Sequence, residues 1–155
     1  MVEEMNFDSV LQKFKIEAKK TFPIEEYAIL VGTVDPTGEV ELADLWWPEG
    51  RAAFCTSSAV QVQASWWRAA RRWASTNNYT LLGDIHSHCY ETPRHDATPS
   101  EDDIDRFDSS YFKYIKNRPF LMGICTISKD RQGRLRARSR LWPIQKEGKS
   151  NKIML

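Results

Sequence analysis

The chain has 155 residues, a length that suits one folded domain able to bury a core without disulfide or metal staples. Apolar residues make up 41% and charged residues 28%, with a formal charge of +1. That balance excludes a disordered chain and supplies no whole-molecule field to draw in an anionic partner. Three cysteines, Cys55, Cys89 and Cys125, cannot all pair and form no C-x-x-C motif, so a reducing, cytoplasmic setting is expected rather than a disulfide framework. The first residues, MVEEMNFDSV, are too acidic and polar for a signal peptide, and no apolar run approaches the ~20 residues of a membrane span.

Phe7, Val10, Leu11, Phe14 and Ala18 recur at helical spacing, which predicts an amphipathic helix over about 7–20, stopped by Pro23. Residues 27–34 (YAILVGTV) are a continuous apolar run, the pattern of a buried strand; Asp35-Pro-Thr-Gly38 is a turn, and 40–47 the partner strand of a hairpin. Residues 58–75 predict a second helix. Val60, Ala64, Trp67 and Ala74 mark one face, Trp66, Ala70 and Trp73 lie beside it, and Arg68, Arg71 and Arg72 point outward. Residues 79–86 return as a strand, 92–100 form a loop rich in Pro and Thr, and 101–114 predict a third helix. Strands at 120–128 and 135–142 make a second hairpin across an Asp130–Gly133 turn. The segment KEGKSNKIML is polar and expected to fray, leaving a single domain with its core at about 7–143 and a flexible tail at 144–155. Helices interspersed with hairpins define an α+β or mixed α/β class.

The chemistry concentrates in Gly83-Asp-Ile-His-Ser-His88. Alternate residues of a strand share a face, so His86 and His88 can converge on one ion. Neutral imidazole suits zinc, and a catalytic zinc takes three protein ligands plus water. H-x-H alone is a weak signal, since histidine serves many roles. Two of the chain's three histidines nevertheless lie here. Asp103 is the candidate third ligand, at the first turn of the helix that follows the Thr-Pro-Ser loop. Ser100-x-x-Asp103 also reads as a helix capping box, and the two roles are compatible.

His86-Ser-His88 followed by Ser100-x-x-Asp103 resembles the JAMM (MPN+) zinc metalloprotease motif, H-x-H-x7-S-x-x-D. Glu25, seven residues before Gly32, resembles the upstream glutamate of that family, a spacing that selects it over Glu26. The order of elements is also similar, over about 7–143. The resemblance implies an α+β, cytidine-deaminase-like JAMM/MPN fold, a curved central sheet flanked by helices. It implies Zn²⁺ held by His86, His88 and Asp103, with Glu25 taking a proton from the zinc water and passing it to the leaving amine, and Ser100 donating to the oxyanion. The implied activity is that of a zinc-dependent isopeptidase or peptidase acting at the C-terminal tail of ubiquitin or a ubiquitin-like protein. Specificity would then come from the chain's own surface or a separate partner protein.

The chain departs from the motif in three places. Eleven residues separate His88 from Ser100, read as a four-residue loop insertion; the shorter register would put Asp96 and Pro99 in the motif positions. Cys89 stands where proline is usual, and Ala28 where glycine is usual. The inserted loop, with Glu91, Arg94, His95 and Asp96, reads as solvated or as a border of the substrate groove, and His95 as an outside candidate for a further ligand. Cys89 reads as a plain loop cysteine before a redox-sensitive thiol or a nucleophile. Arg134, Arg136, Arg138 and Arg140 share one strand face, either a solvated edge or a patch for an acidic partner; no nucleic-acid motif accompanies them. Of the adjacent Trp46 and Trp47, one is expected to be exposed near a substrate path. The competing function is a catalytically silent MPN-type scaffold or binding module, which would have no physical need for the full Glu, His, His, Ser, Asp set. Neither the H-x-E and P-C-x-x-C elements of a zinc deaminase nor H-E-x-x-H occurs.

Overall fold

A computed structural model describes residues 2–105, 115, 118–147 and 150–153. In chain order the elements are α1 (Val2–Thr21), β1 (Tyr27–Val34), β2 (Val40–Trp46), a 3-10 turn (Arg51–Phe54), α2 (Ala64–Thr76), β3 (Thr80–Tyr90), α3 (Glu101–Asp105), β4 (Phe120–Lys129), β5 (Leu135–Glu147) and β6 (Ser150–Ile153). The strands form one sheet in the order β2-β1-β3-β4-β5-β6. Every pairing is antiparallel except β3 with β4. That parallel pair requires a crossover, which residues 91–119 supply.

The sheet is covered on both faces, which is why β1 is apolar throughout rather than alternating. Tyr27, Ile29 and Val31 point to the α2 layer with Trp66, Trp67, Ala70, Ala74 and Phe120. Ala28 and Leu30 point the other way, onto Val10, Leu11, Phe14 and Ala18 of α1. Each fully buried Leu, Ile or Phe in these layers contributes roughly 1.5–3 kcal/mol. Ala28 is fully buried against the α1 layer. β3 and β4 approach so closely at Gly83 that a Cβ there would lie 1.8 Å from the Leu121 carbonyl oxygen. Only glycine fits that position, directly before the site-bearing part of β3.

The expected hairpin strands and turns stand where the sequence puts them. Gly38 donates its N–H to the Asp35 carbonyl and Gly133 to the Asp130 carbonyl, each at 2.9 Å. The expected second helix is corrected at its start, since α2 begins at Ala64 and not at 58. Thr56 closes a turn on Ala59 (N–O 2.9 Å), Cys55 bridges Val60, and the alternate Val60 and Val62 pack onto the α2-side core. That two-residue period is extended chain, not helix. β3 runs four residues further than expected, so both histidines lie inside the strand. Of the third expected helix, Glu101–Asp105 is described and the rest of 101–114 lies outside the described residues. β5 continues to Glu147, and β6 pairs Ser150–Ile153 with Ile144–Glu147, so the sheet extends into the segment expected to fray. No described helix is long and apolar enough to cross a membrane.

Candidate metal centre

β3 places Asp84, His86 and His88 on the face that carries Tyr27 of β1, and the register pairs Tyr27 with His86. The Nε2 atoms of His86 and His88 are 3.0 Å apart. Asp103 spans both, with Oδ1 3.1 Å from His86 Nε2 and Oδ2 3.0 Å from His88 Nε2. The three ligand atoms lie within 4.8 Å of one another. Two ring nitrogens this close need a cation or a shared proton between them. A tetrahedral zinc with bonds of ~2.0–2.1 Å would hold neighbouring donors about 3.3 Å apart, so two imidazoles and a carboxylate in this arrangement fit such an ion.

The expected third ligand also caps its helix. The Asp103 N–H donates to Ser100 Oγ at 3.0 Å, and the Ser100 N–H donates to Asp103 Oδ2 at 2.8 Å. The capping reading of Ser100-x-x-Asp103 therefore holds, and the reciprocal bonds fix the carboxylate that meets the histidines. The long-loop register brings Asp103 to the site, whereas Asp96, the shorter-register alternative, is exposed and bound to Arg94 at 2.9 Å. His95 is exposed and stands apart from the three-ligand cluster.

Glu25 and Glu26 face opposite ways at the entry to β1. Glu26 is buried and bound to the Arg51 guanidinium, which stacks over Trp47 at 4.7 Å. Its backbone is fastened to the middle residue of the H-x-H motif: the Glu26 N–H donates to Ser87 Oγ at 2.7 Å, and the Ser87 N–H donates to the Glu26 carbonyl at 3.0 Å. These contacts leave Glu25 on the other side, where it lines the same cavity of about 640 Å³ as His86, His88, Ser100 and Asp103. Glu25 is 7% exposed.

The electrostatics follow from burial and neighbours. Burial pushes the Glu25 carboxyl above its ordinary range, His86 and His88 pull it back, and Asp103 pushes it up again. For Asp103, burial works upward, but hydrogen bonds from His86 and His88 outweigh it and hold the carboxyl far below the usual range. Burial works to lower the His86 imidazole, yet its hydrogen bond and charge contact with Asp103 raise it. Burial pushes the Cys89 thiol up to about 11, so it is no activated nucleophile.

Asp84 and Ser87 are site residues that the sequence reading passed over. Asp84 is buried, and its Oδ2 accepts the Tyr27 hydroxyl at 2.8 Å. Burial pushes its carboxyl up to about 6, against the pull of His86 and the Tyr27 hydrogen bond. The signal was its parity: 84, 86 and 88 share one strand face. The inserted loop is only partly the solvated segment expected. Ala97 and Pro99 are buried, the Trp142 indole donates to the Ala97 carbonyl at 2.7 Å, and the Arg94 N–H donates to Ser128 Oγ at 3.3 Å. The loop thus lies fastened along β4 and β5. Arg134, just before β5, and Arg136, Arg138 and Arg140 within it are all exposed, Arg134 and Arg136 being tied to Asp130. Neither Trp46 nor Trp47 is open: both are half-buried, Trp46 against the α2 layer and Trp47 stacked on Phe14 at 5.6 Å.

A two-histidine strand facing a capped aspartate, on an α+β sheet of this order, is the arrangement of the JAB/MPN fold. A family model described as prokaryotic homologs of the JAB domain (Prok-JAB) matches residues 7–140, and the chain belongs to that family. Among solved structures, the chain resembles a protein from Desulfitobacterium hafniense at 15% identity and a TM-score of 0.53, covering 94% of this chain and 86% of that one. It resembles a protein from Salinibacter ruber at 19% identity and a TM-score of 0.52, covering 94% and 85%. No curated protein matches it.

Proposed function

We propose that the chain is a zinc-dependent isopeptidase or peptidase that cleaves at the C-terminal tail of a ubiquitin-like protein. The observation that carries this reading is the convergence of His86, His88 and Asp103 in a cavity that also holds Glu25. The family includes metalloisopeptidases, which supports the reaction class.

His86, His88 and Asp103 would hold the ion. Zinc, when bound, supplies Lewis-acid polarisation of a carbonyl and acidifies water towards neutral pH. Glu25 then acts as the proton carrier: a carboxylate with a raised pKa accepts a proton from the attacking water at its oxygen and returns it to the leaving nitrogen. Ser100 Oγ already accepts the Asp103 N–H, which leaves its O–H to donate into the cavity, where an oxyanion develops. Three free thiols, half-buried or buried, support a reducing, cytoplasmic setting.

The test uses zinc-loaded protein and a ubiquitin-like protein fused at its tail to a reporter. Glu25→Gln should lower cleavage by at least about 100-fold with zinc content unchanged. A zinc-loaded wild type that cleaves no tail fusion in a broad panel would refute the peptidase reading and leave a scaffold.

A further inference from the structure

Asp84 is only half used by the fold. It is 7% exposed, and Tyr27 occupies its Oδ2 at 2.8 Å. Its Oδ1 makes no hydrogen bond to any described residue, although the side chain lines the site cavity two residues before His86. The side chain lines the cavity, so that oxygen is open to a charged donor that enters it. The brace to Tyr27 uses one oxygen and leaves the other facing the cavity.

The surroundings say what kind of donor fits. Glu25, Asp84, Asp102 and Asp103 all line the cavity, and no Lys or Arg among the described residues does. An ion on His86, His88 and Asp103 would draw on Asp103, and Glu25 is committed to proton transfer in the reading above. Asp84 remains as a fixed negative group on the cavity wall, on the same strand face as the two histidines. A concave, weakly solvated wall of one sign concentrates the opposite charge.

We propose that Asp84 is a specificity-determining residue whose free carboxylate oxygen receives the cationic side chain of a substrate residue next to the cleaved bond. The inference rests on the peptidase reading for the identity of the ligand, a lysine- or arginine-bearing peptide segment. Tyr27 positions the acceptor, because its hydroxyl fixes Oδ2 and so fixes where Oδ1 points. A charge-assisted hydrogen bond of this kind favours a cation over a neutral isostere of the same length.

The test is a binding titration of the zinc-loaded protein at neutral pH, followed through the backbone amide signals of Gly83, Ile85 and Met122. The probes are Nα-acetyl-lysine methylamide, its arginine counterpart and the uncharged norleucine compound. Wild type should bind one or both cationic probes at least about tenfold tighter than norleucine, a difference of about 1.4 kcal/mol. The arm that wins tells ammonium from guanidinium recognition. Asp84→Asn should erase the preference while zinc content stays unchanged, and Asp84→Glu should keep part of it. Equal binding of all three probes by wild type overturns the proposal whether or not the variants fold, as does a preference that survives in Asp84→Asn. Because the readout is binding, it separates from the cleavage test. A protein that discriminates the probes but cleaves nothing refutes the peptidase reading and keeps the cation site, and one that cleaves without discriminating does the reverse.

Discussion

Glu26 and Arg51 offer the sharpest test of how the site is held. The Glu26 side chain is 4% exposed and that of Arg51 25%, and the pair joins the 3-10 turn to the residue just before β1. Breaking a buried pair leaves a charge without its partner and costs about 3–5 kcal/mol; Arg51 keeps partial access to water, which lowers the expectation to about 2–3 kcal/mol. Arg51→Met keeps the aliphatic stem over Trp47 and removes the charge, whereas Glu26→Gln keeps an oxygen to accept the Tyr27 N–H, now at 3.0 Å. Each single variant should therefore lose about 2–3 kcal/mol in urea unfolding. The double variant should lose less than the sum, with a coupling energy of about 1–2 kcal/mol. Glu25 is the neighbouring residue on this anchor, so tail-fusion cleavage should fall in the same variants while zinc is retained. Single variants within about 0.5 kcal/mol of wild type, or additive losses, would refute the idea that this pair fixes the entry to β1.

Three further outcomes follow from single contacts. Ser100→Ala removes the helix cap and should cost about 1 kcal/mol, while Ser100→Gly should cost only a few tenths; both should lose about 100-fold or more in cleavage, which urea unfolding and kinetics measure separately. Gly83→Ala puts a methyl group onto the Leu121 carbonyl and should lower stability by about 1–3 kcal/mol, with a fall in melting temperature as the readout. Burial, reinforced by the Glu26 charge, pushes the Cys55 thiol up to about 11, so less of it is thiolate at any pH below that value. Labelling of Cys55 by a disulfide reagent at pH 8 should run about two orders of magnitude slower than that of a free cysteine; a rate matching the free thiol would contradict it.

Much of the fold was legible because its signals are local. The run from Tyr27 to Val34 is apolar at every early position, which a strand covered by α1 on one face and α2 on the other requires. The start of α2 was not legible, since Ser58 and Val60 fit a helical start as readily as the turn and extended segment they form. What separates the two is contact with the cavity and the α2-side core, a tertiary effect. His86, His88 and Asp103 could be read because strand parity and helix capping each constrain direction. The distance from His88 to Ser100 could not be turned into geometry from sequence, because it depends on Ala97 and Trp142, 45 positions apart. Asp84 shares the parity of the histidines, yet its half-satisfied carboxylate is visible only once Tyr27 is placed across from it. The fates of Trp46 and Trp47 depend on Phe14 and the α2 layer, which no neighbouring residue in the sequence announces.

The central claim is that His86, His88 and Asp103 together hold one zinc ion. Elemental analysis of the wild type and of His86→Ala, His88→Ala and Asp103→Ala, each loaded with zinc and then dialysed, tests it most directly. About one zinc per wild-type chain is expected, with that zinc lost in all three variants. A wild type that takes up none, or an Asp103→Ala protein that keeps its zinc, would contradict it.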